Sequence, residues 1–73
     1  MMEIEENVYK EVYMVFDLFE DMYIKCFHLY QTNEYTNKVI LAQEFRTELD
    51  AIIECKESGL GCFRVDKIYV LEY

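Results

Sequence analysis

The sequence contains no proline and only two glycines in 73 residues. Without proline nothing forces a break in the backbone, and with two glycines few sites favour a left-handed turn. Regular secondary structure is therefore expected through most of the chain. Histidine occurs once, at position 28, with no partner at triad or metal-ligand spacing, so His28 reads as an ordinary strand residue. Basic residues are also scarce: seven Lys and Arg stand against fifteen Asp and Glu, a formal net charge of −8. That excludes nucleic acid as a direct ligand, because phosphate contacts need clustered Lys and Arg. It disfavours an anionic membrane surface for the same reason.

Other signatures are absent as well. There is no GxxxxGK motif, and Gly59 and Gly61 follow a helical pattern instead of preceding one, which is a helix stop and turn and not a phosphate loop. No apolar run approaches the length of a membrane span. Cys26, Cys55 and Cys62 are odd in number and lack CxxC spacing. The opening MMEIEEN is acidic where a secretory leader would be basic and then apolar, so the cysteines read as reduced thiols of a cytoplasmic protein. Cys26 and His28 share a strand face, yet single ligands at 26, 28, 55 and 62 match no zinc spacing, and neither metal nor cofactor is expected. Carboxylate pairs are too common in so acidic a chain to single one out. No catalytic motif is present, and an enzyme is not expected.

What the chain does have is apolar bulk. Apolar residues make up 53% and aromatics 16%, with seven Tyr and five Phe, so the chain folds despite its charge. One small domain over residues 1–73 is expected, with the acidic, unpatterned residues 1–7 fraying. A chain this short buries only about 60% of its unfolded surface. Part of its apolar content is therefore expected to lie between two copies, as a homodimer.

The stretch TELDAIIECKESG, from Thr47 to Gly59, carries both ends of a helix. Thr47 is a good N-cap, Asp50 stands where a capping-box partner would, and Gly59 suits a left-handed stop. Leu49, Ile52 and Ile53 fall on one face, with the Lys56 stem covering its end, and are expected to pack inward. Strands are read elsewhere. Between Val8 and Phe19 a strand fits, with Met14, Phe16 and Leu18 on one face. A helix through Val8, Val12, Val15 and Phe19 also fits, but Val, Tyr and Phe are mediocre helix formers and the strand is favoured. Glu20–Asp21 reads as a turn and Tyr23–Tyr30 as a second strand. Residues 31–37, QTNEYTN, read as a loop, and Lys38–Phe45, KVILAQEF, as a third strand buried on both faces through VILA. Cys62–Leu71 closes the chain as a last strand with apolar residues on both sides. The fold class is then α+β: a small antiparallel sheet with one helix packed on a face, in the order β-β-β-α-β.

The charged residues carry the functional expectation. Asp50, Glu54 and Glu57 stand at i, i+4 and i+7, a row of like charges that costs an isolated helix a few tenths of a kcal/mol per pair. Glu44 and Glu48 extend the acidic stretch, opposed only by Arg46 and Lys56. Such a surface serves solubility, or it serves recognition. A row spaced by about one helical turn, ~5–6 Å, approaches the separation of DNA phosphates. Carboxylates also accept the paired contacts that Arg gives phosphates. Glu44, Glu48, Asp50, Glu54 and Glu57 are therefore the candidate partner-binding residues, with Tyr9, Tyr35 or Tyr73 as anchors.

In size, charge and lack of enzyme motifs the chain resembles the small, acidic, apolar-rich early proteins with which bacteriophages disable host machinery. Among these are DNA mimics, such as the HU-inhibiting proteins of large Bacillus phages. The resemblance implies a dimer that binds a basic DNA-binding host protein and keeps DNA off it. The other expectation is a small adaptor or inhibitor that binds a division or transcription protein through an apolar strand edge or aromatic patch.

Overall fold

A computed structural model describes residues 8–28 and 31–72. The expected fraying of residues 1–7 lies outside the described residues, as do Leu29, Tyr30 and Tyr73. The second strand, expected over Tyr23–Tyr30, ends at Cys26, and Phe27 and His28 are not part of it. The elements are β1 (Val8–Asp17), β2 (Met22–Cys26), β3 (Glu34–Thr36), α1 (Glu48–Glu57) and β4 (Phe63–Glu72). They form a four-stranded antiparallel sheet in the order β3-β2-β1-β4, with α1 packed on one face against β1 and β4. Fold class and element order are those expected from the sequence. Residues 8–17 are a strand, not a helix.

β1 organises the sheet. It pairs with β4 along its whole length, from Val8↔Glu72 to Asp17↔Phe63, but with β2 only at Phe16↔Tyr23 and Asp17↔Met22. Both faces of β1 are covered from Val12 onward, which is why Val12–Phe16 is continuously apolar, whereas Tyr9, Lys10 and Glu11 before it are exposed. On the helix side, Val15, Ile24, Ala51 and Cys55 are fully buried and are flanked by Tyr13, Phe27, Tyr35, Phe45, Phe63 and Val65. On the other side, Val12, Met14 and Ala42 pack with Tyr23, Ile68 and Val70. Fully burying a side chain such as Val15 or Ile24 contributes about 1.5–3 kcal/mol.

The turn after β1 is built on Asp17. Its Oδ1 accepts the amides of Phe19 and Glu20, and Asp21 completes the turn with φ 58°. The third strand departs from the expected placement. The expected loop contains β3, whereas Val39–Leu41 form a single 3-10 turn whose side chains are all exposed, Ile40 by 80%. The reason lies in the gap that β2 leaves as it diverges from β1. Residues 43–45 fill that gap: Gln43 donates its amide to Ile24 O at 3.0 Å, and Phe45 exchanges two backbone bonds with Tyr13 at 2.8 and 2.9 Å. The 3-10 turn lowers Ala42 onto Val12 and Met14 and starts this insertion.

The Thr47 cap and the Gly59 stop of α1 are as the sequence implies, but among the described residues no bond from the Asp50 carboxylate to the Thr47 amide completes a capping box. The Thr47 hydroxyl accepts from the amide of Asp50 at 3.0 Å. At the far end Gly59, at φ 78°, gives a Schellman stop in which Leu60 N donates to Cys55 O at 2.9 Å and Gly59 N to Lys56 O at 3.2 Å. The rotation of the helix is not the expected one. Ala51 and Cys55 are its fully buried residues and Ile52 is half-buried, while Leu49 is 63% and Ile53 43% exposed, with Lys56 beside them. The sheet face below is carpeted by Tyr13, Phe27, Tyr35, Phe45 and Phe63, so a helix can approach it closely only through small side chains. Ala51 and Cys55, four residues apart, provide that seam. No helix among the described residues is long and apolar enough to cross a membrane.

Candidate functional site

The outer side of α1 is set by this rotation. At about 100° per residue, Asp50, Glu54 and Glu57 fall within about 60° of one another along one flank. Asp50 and Glu57 are exposed and Glu54 is half-buried. Leu49 and Ile53 lie next to them on the outermost line of the helix. The surface there pairs two exposed aliphatic side chains with a bank of carboxylates.

Among the described residues the acidic row has no internal countercharge. Among the described residues, the ion pairs are Lys10–Glu44, His28–Glu34, Arg64–Asp66 and Lys67–Glu11, and none includes Glu48, Asp50, Glu54 or Glu57. Glu48 and Asp50 gain from the helix N-terminal dipole. Glu57 stands in the last turn, where the dipole disfavours a carboxylate.

The other two expected site residues fall elsewhere. Glu48 lies about 200° round the helix from Asp50 and is not part of the row. Glu44 precedes the helix at the sheet margin, where its carboxylate lies 3.5 Å from the Lys10 ammonium. Of the tyrosines expected as anchors, Tyr9 is exposed, whereas Tyr35 is half-buried with its hydroxyl bonded to Asp17 at 2.9 Å and cannot serve as one.

Two further features escape a reading of the sequence. On the face away from α1, an apolar groove of about 260 Å³ runs between the 3-10 turn and β4, lined by Met14, Val39, Ile40, Ile68, Val70 and Leu71. At the opposite end of the sheet, Cys26, His28 and Glu34 converge. The expected shared strand face of Cys26 and His28 is not formed, because β2 ends at Cys26 and His28 follows it outside the strand. Glu34 was not legible, because its position follows from the pairing of β2 with β3 in a stretch that reads as loop.

A polar cluster on the groove side is structural. Arg64 grips Asp66 through Nε and Nη2 at 2.6 and 2.9 Å, Tyr23 donates its hydroxyl to the same carboxylate at 2.7 Å, and the guanidinium lies 4.4 Å above the Phe16 ring. The Arg64 bonds hold Asp66 below the usual carboxylate range, and the Asp66 bond raises Tyr23. Arg64, Asp66 and Tyr23 are thus bound to one another across the β1, β2 and β4 strands, which ties the sheet together on this face.

Comparison with protein-family models, with curated proteins and with solved structures finds no match to this chain.

Proposed function

We propose that this chain is a cytoplasmic, non-enzymatic binding module whose α1 face occupies the nucleic-acid-binding surface of a basic protein, such as a nucleoid protein. The observation that supports this reading is the unpaired row of Asp50, Glu54 and Glu57 beside exposed Leu49 and Ile53. Carboxylates left without internal partners are available to Arg and Lys of a partner. The two aliphatic side chains supply the dry centre that charge alone lacks. Charge attraction sets the encounter, and a salt-dependent on-rate follows.

The test is a displacement assay. A labelled DNA duplex is bound by a purified basic nucleoid protein at low salt, and this chain is titrated in while anisotropy is read. Release of the duplex, weakened by added salt and abolished by the combined Asp50→Lys, Glu54→Lys and Glu57→Lys changes, supports the proposal. Full displacement by the triple variant, with its helix content unchanged by circular dichroism, would remove α1 as the site.

The apolar groove between the 3-10 turn and β4 favours a second reading, an adaptor that binds a division or transcription protein through apolar contact. Its mark is a complex that persists at high salt and is lost with Ile40→Asp, an exposed position.

A further inference from the structure

We propose that Cys26, His28 and Glu34 form a binding site for one divalent cation of the zinc class. Three elements of local structure bring them together. Cys26 ends β2 and pairs across the sheet with Glu34 at the start of β3, next to a register shift between Ile24 and Cys26. His28 follows two residues later, and its amide donates to Asn33 Oδ1 at 2.9 Å, closing the base of the loop between the strands. Phe27 is tied in turn to Gln43 by a bond of 3.1 Å from its amide to Oε1. The backbone carrying all three side chains is thus held on both sides.

The ligand atoms already lie within 4.8 Å of one another, and His28 Nε2 is 2.8 Å from Glu34 Oε2. Tetrahedral zinc, with bonds of about 2.0–2.3 Å, places its ligands about 3.3–3.8 Å apart. To meet this the imidazole and carboxylate open by about half an ångström, and any separation at the 4.8 Å bound closes by about one. The present His28–Glu34 bond occupies the place a cation would take. Cys26 Sγ, whose contact is with Phe27 O at 3.7 Å, is the side chain that turns.

The donor set decides the ion. One sulfur, one imidazole nitrogen and one carboxylate oxygen suit a borderline cation, whereas calcium and magnesium select oxygen ligands. On binding, the Cys26 thiol releases its proton to solvent as the metal–sulfur bond forms. Thiolate and carboxylate then balance the charge of the cation. Three protein ligands leave a fourth position for water. Cys26 and His28 are half-buried and Glu34 is exposed, so the cation has a path in. Bound there, it would fasten the three-residue edge strand β3 to β2.

The experiment is a titration of the full chain with cobalt(II), under reducing and anaerobic conditions, read by absorption. One equivalent is expected to give a thiolate-to-cobalt charge-transfer band together with intense tetrahedral visible bands, both removed by added zinc(II). Cys26→Ser is expected to abolish the charge-transfer band. Cys62→Ser, which removes the exposed thiol, is expected to keep it. Glu34→Gln, at an exposed position that leaves the fold intact, is expected to weaken zinc at least as much as losing a supporting outer group, about 10–100-fold. Absence of the band in the parent chain, its survival in Cys26→Ser, or unchanged affinity in Glu34→Gln would overturn the proposal.

Discussion

The Tyr35 hydroxyl donates to Asp17 Oδ2 at 2.9 Å, reaching from the edge strand β3 across β2 to the end of β1. Asp17 is only 3% exposed, and its other oxygen takes the amides of Phe19 and Glu20, so one carboxylate joins the first turn, the edge strand and the core. Removing the hydroxyl leaves a buried acceptor short of a partner. Tyr35→Phe is therefore expected to cost about 1–3 kcal/mol, read as a lower urea midpoint at unchanged slope. An unchanged midpoint would mean that Asp17 is satisfied without Tyr35.

Alkaline pH tests the same pair. Burial, and after it the bond to Asp17, push Tyr35 up to about 12 from its ordinary 10.0. The folded state therefore holds this proton more tightly than the unfolded chain does. Its contribution is complete below about pH 10 and is lost as pH rises from about 10 to 12. Urea midpoints measured across that window should fall less in Tyr35→Phe than in the parent chain.

On the acid side the relevant group is Asp66, which the Arg64 bonds hold below the usual carboxylate range. Its contribution is present above the unfolded carboxylate pKa and is lost as pH falls through the depressed folded value. Asp66→Asn should be less stable than the parent at neutral pH, with the gap closing toward strongly acidic pH. A gap independent of pH would assign the effect to packing.

Helix rotation can be read from two substitutions. Leu49→Ser, at an exposed position, should change stability by no more than about 0.5 kcal/mol. Ala51→Leu, in the seam against the aromatic sheet face, should cost about 1–3 kcal/mol through overpacking. The reverse ranking would restore the rotation in which Leu49 packs inward.

Glu57 separates recognition from stability. Glu57→Lys relieves repulsion with Glu54 and places a cation at the negative end of the helix. Together these favour the fold by about 0.3–1 kcal/mol. The same change should weaken DNA displacement from the basic partner. A variant both more stable and less able to compete would show that the row is kept for recognition.

The ends of α1 were legible because caps are local: Thr47, Asp50 and Gly59 act within a few residues of chain. The alternation in β1 and β4, with apolar residues on both faces, likewise carried the sheet. The third strand was misplaced because VIL in Val39–Leu41 has high strand propensity, while β3 lies in polar EYT. What decides between them is the gap beside β1, which Gln43 and Phe45 fill by pairing with Ile24 and Tyr13, partners far away in sequence.

The same division holds for the surface. Composition and charge determined that the chain is acidic and apolar-rich, and short periodicities with the helix caps determined the β-β-β-α-β order, though not the place of the third strand. Only the tertiary structure decided that Ala51 and Cys55 face inward, that Leu49 and Ile53 stand beside the carboxylates, and that Glu34 meets Cys26 and His28. Helical periodicity marks a stripe, but the width of the aromatic sheet face chooses which stripe fits. Strand pairing then brings together side chains whose spacing in the sequence carries no sign of their meeting.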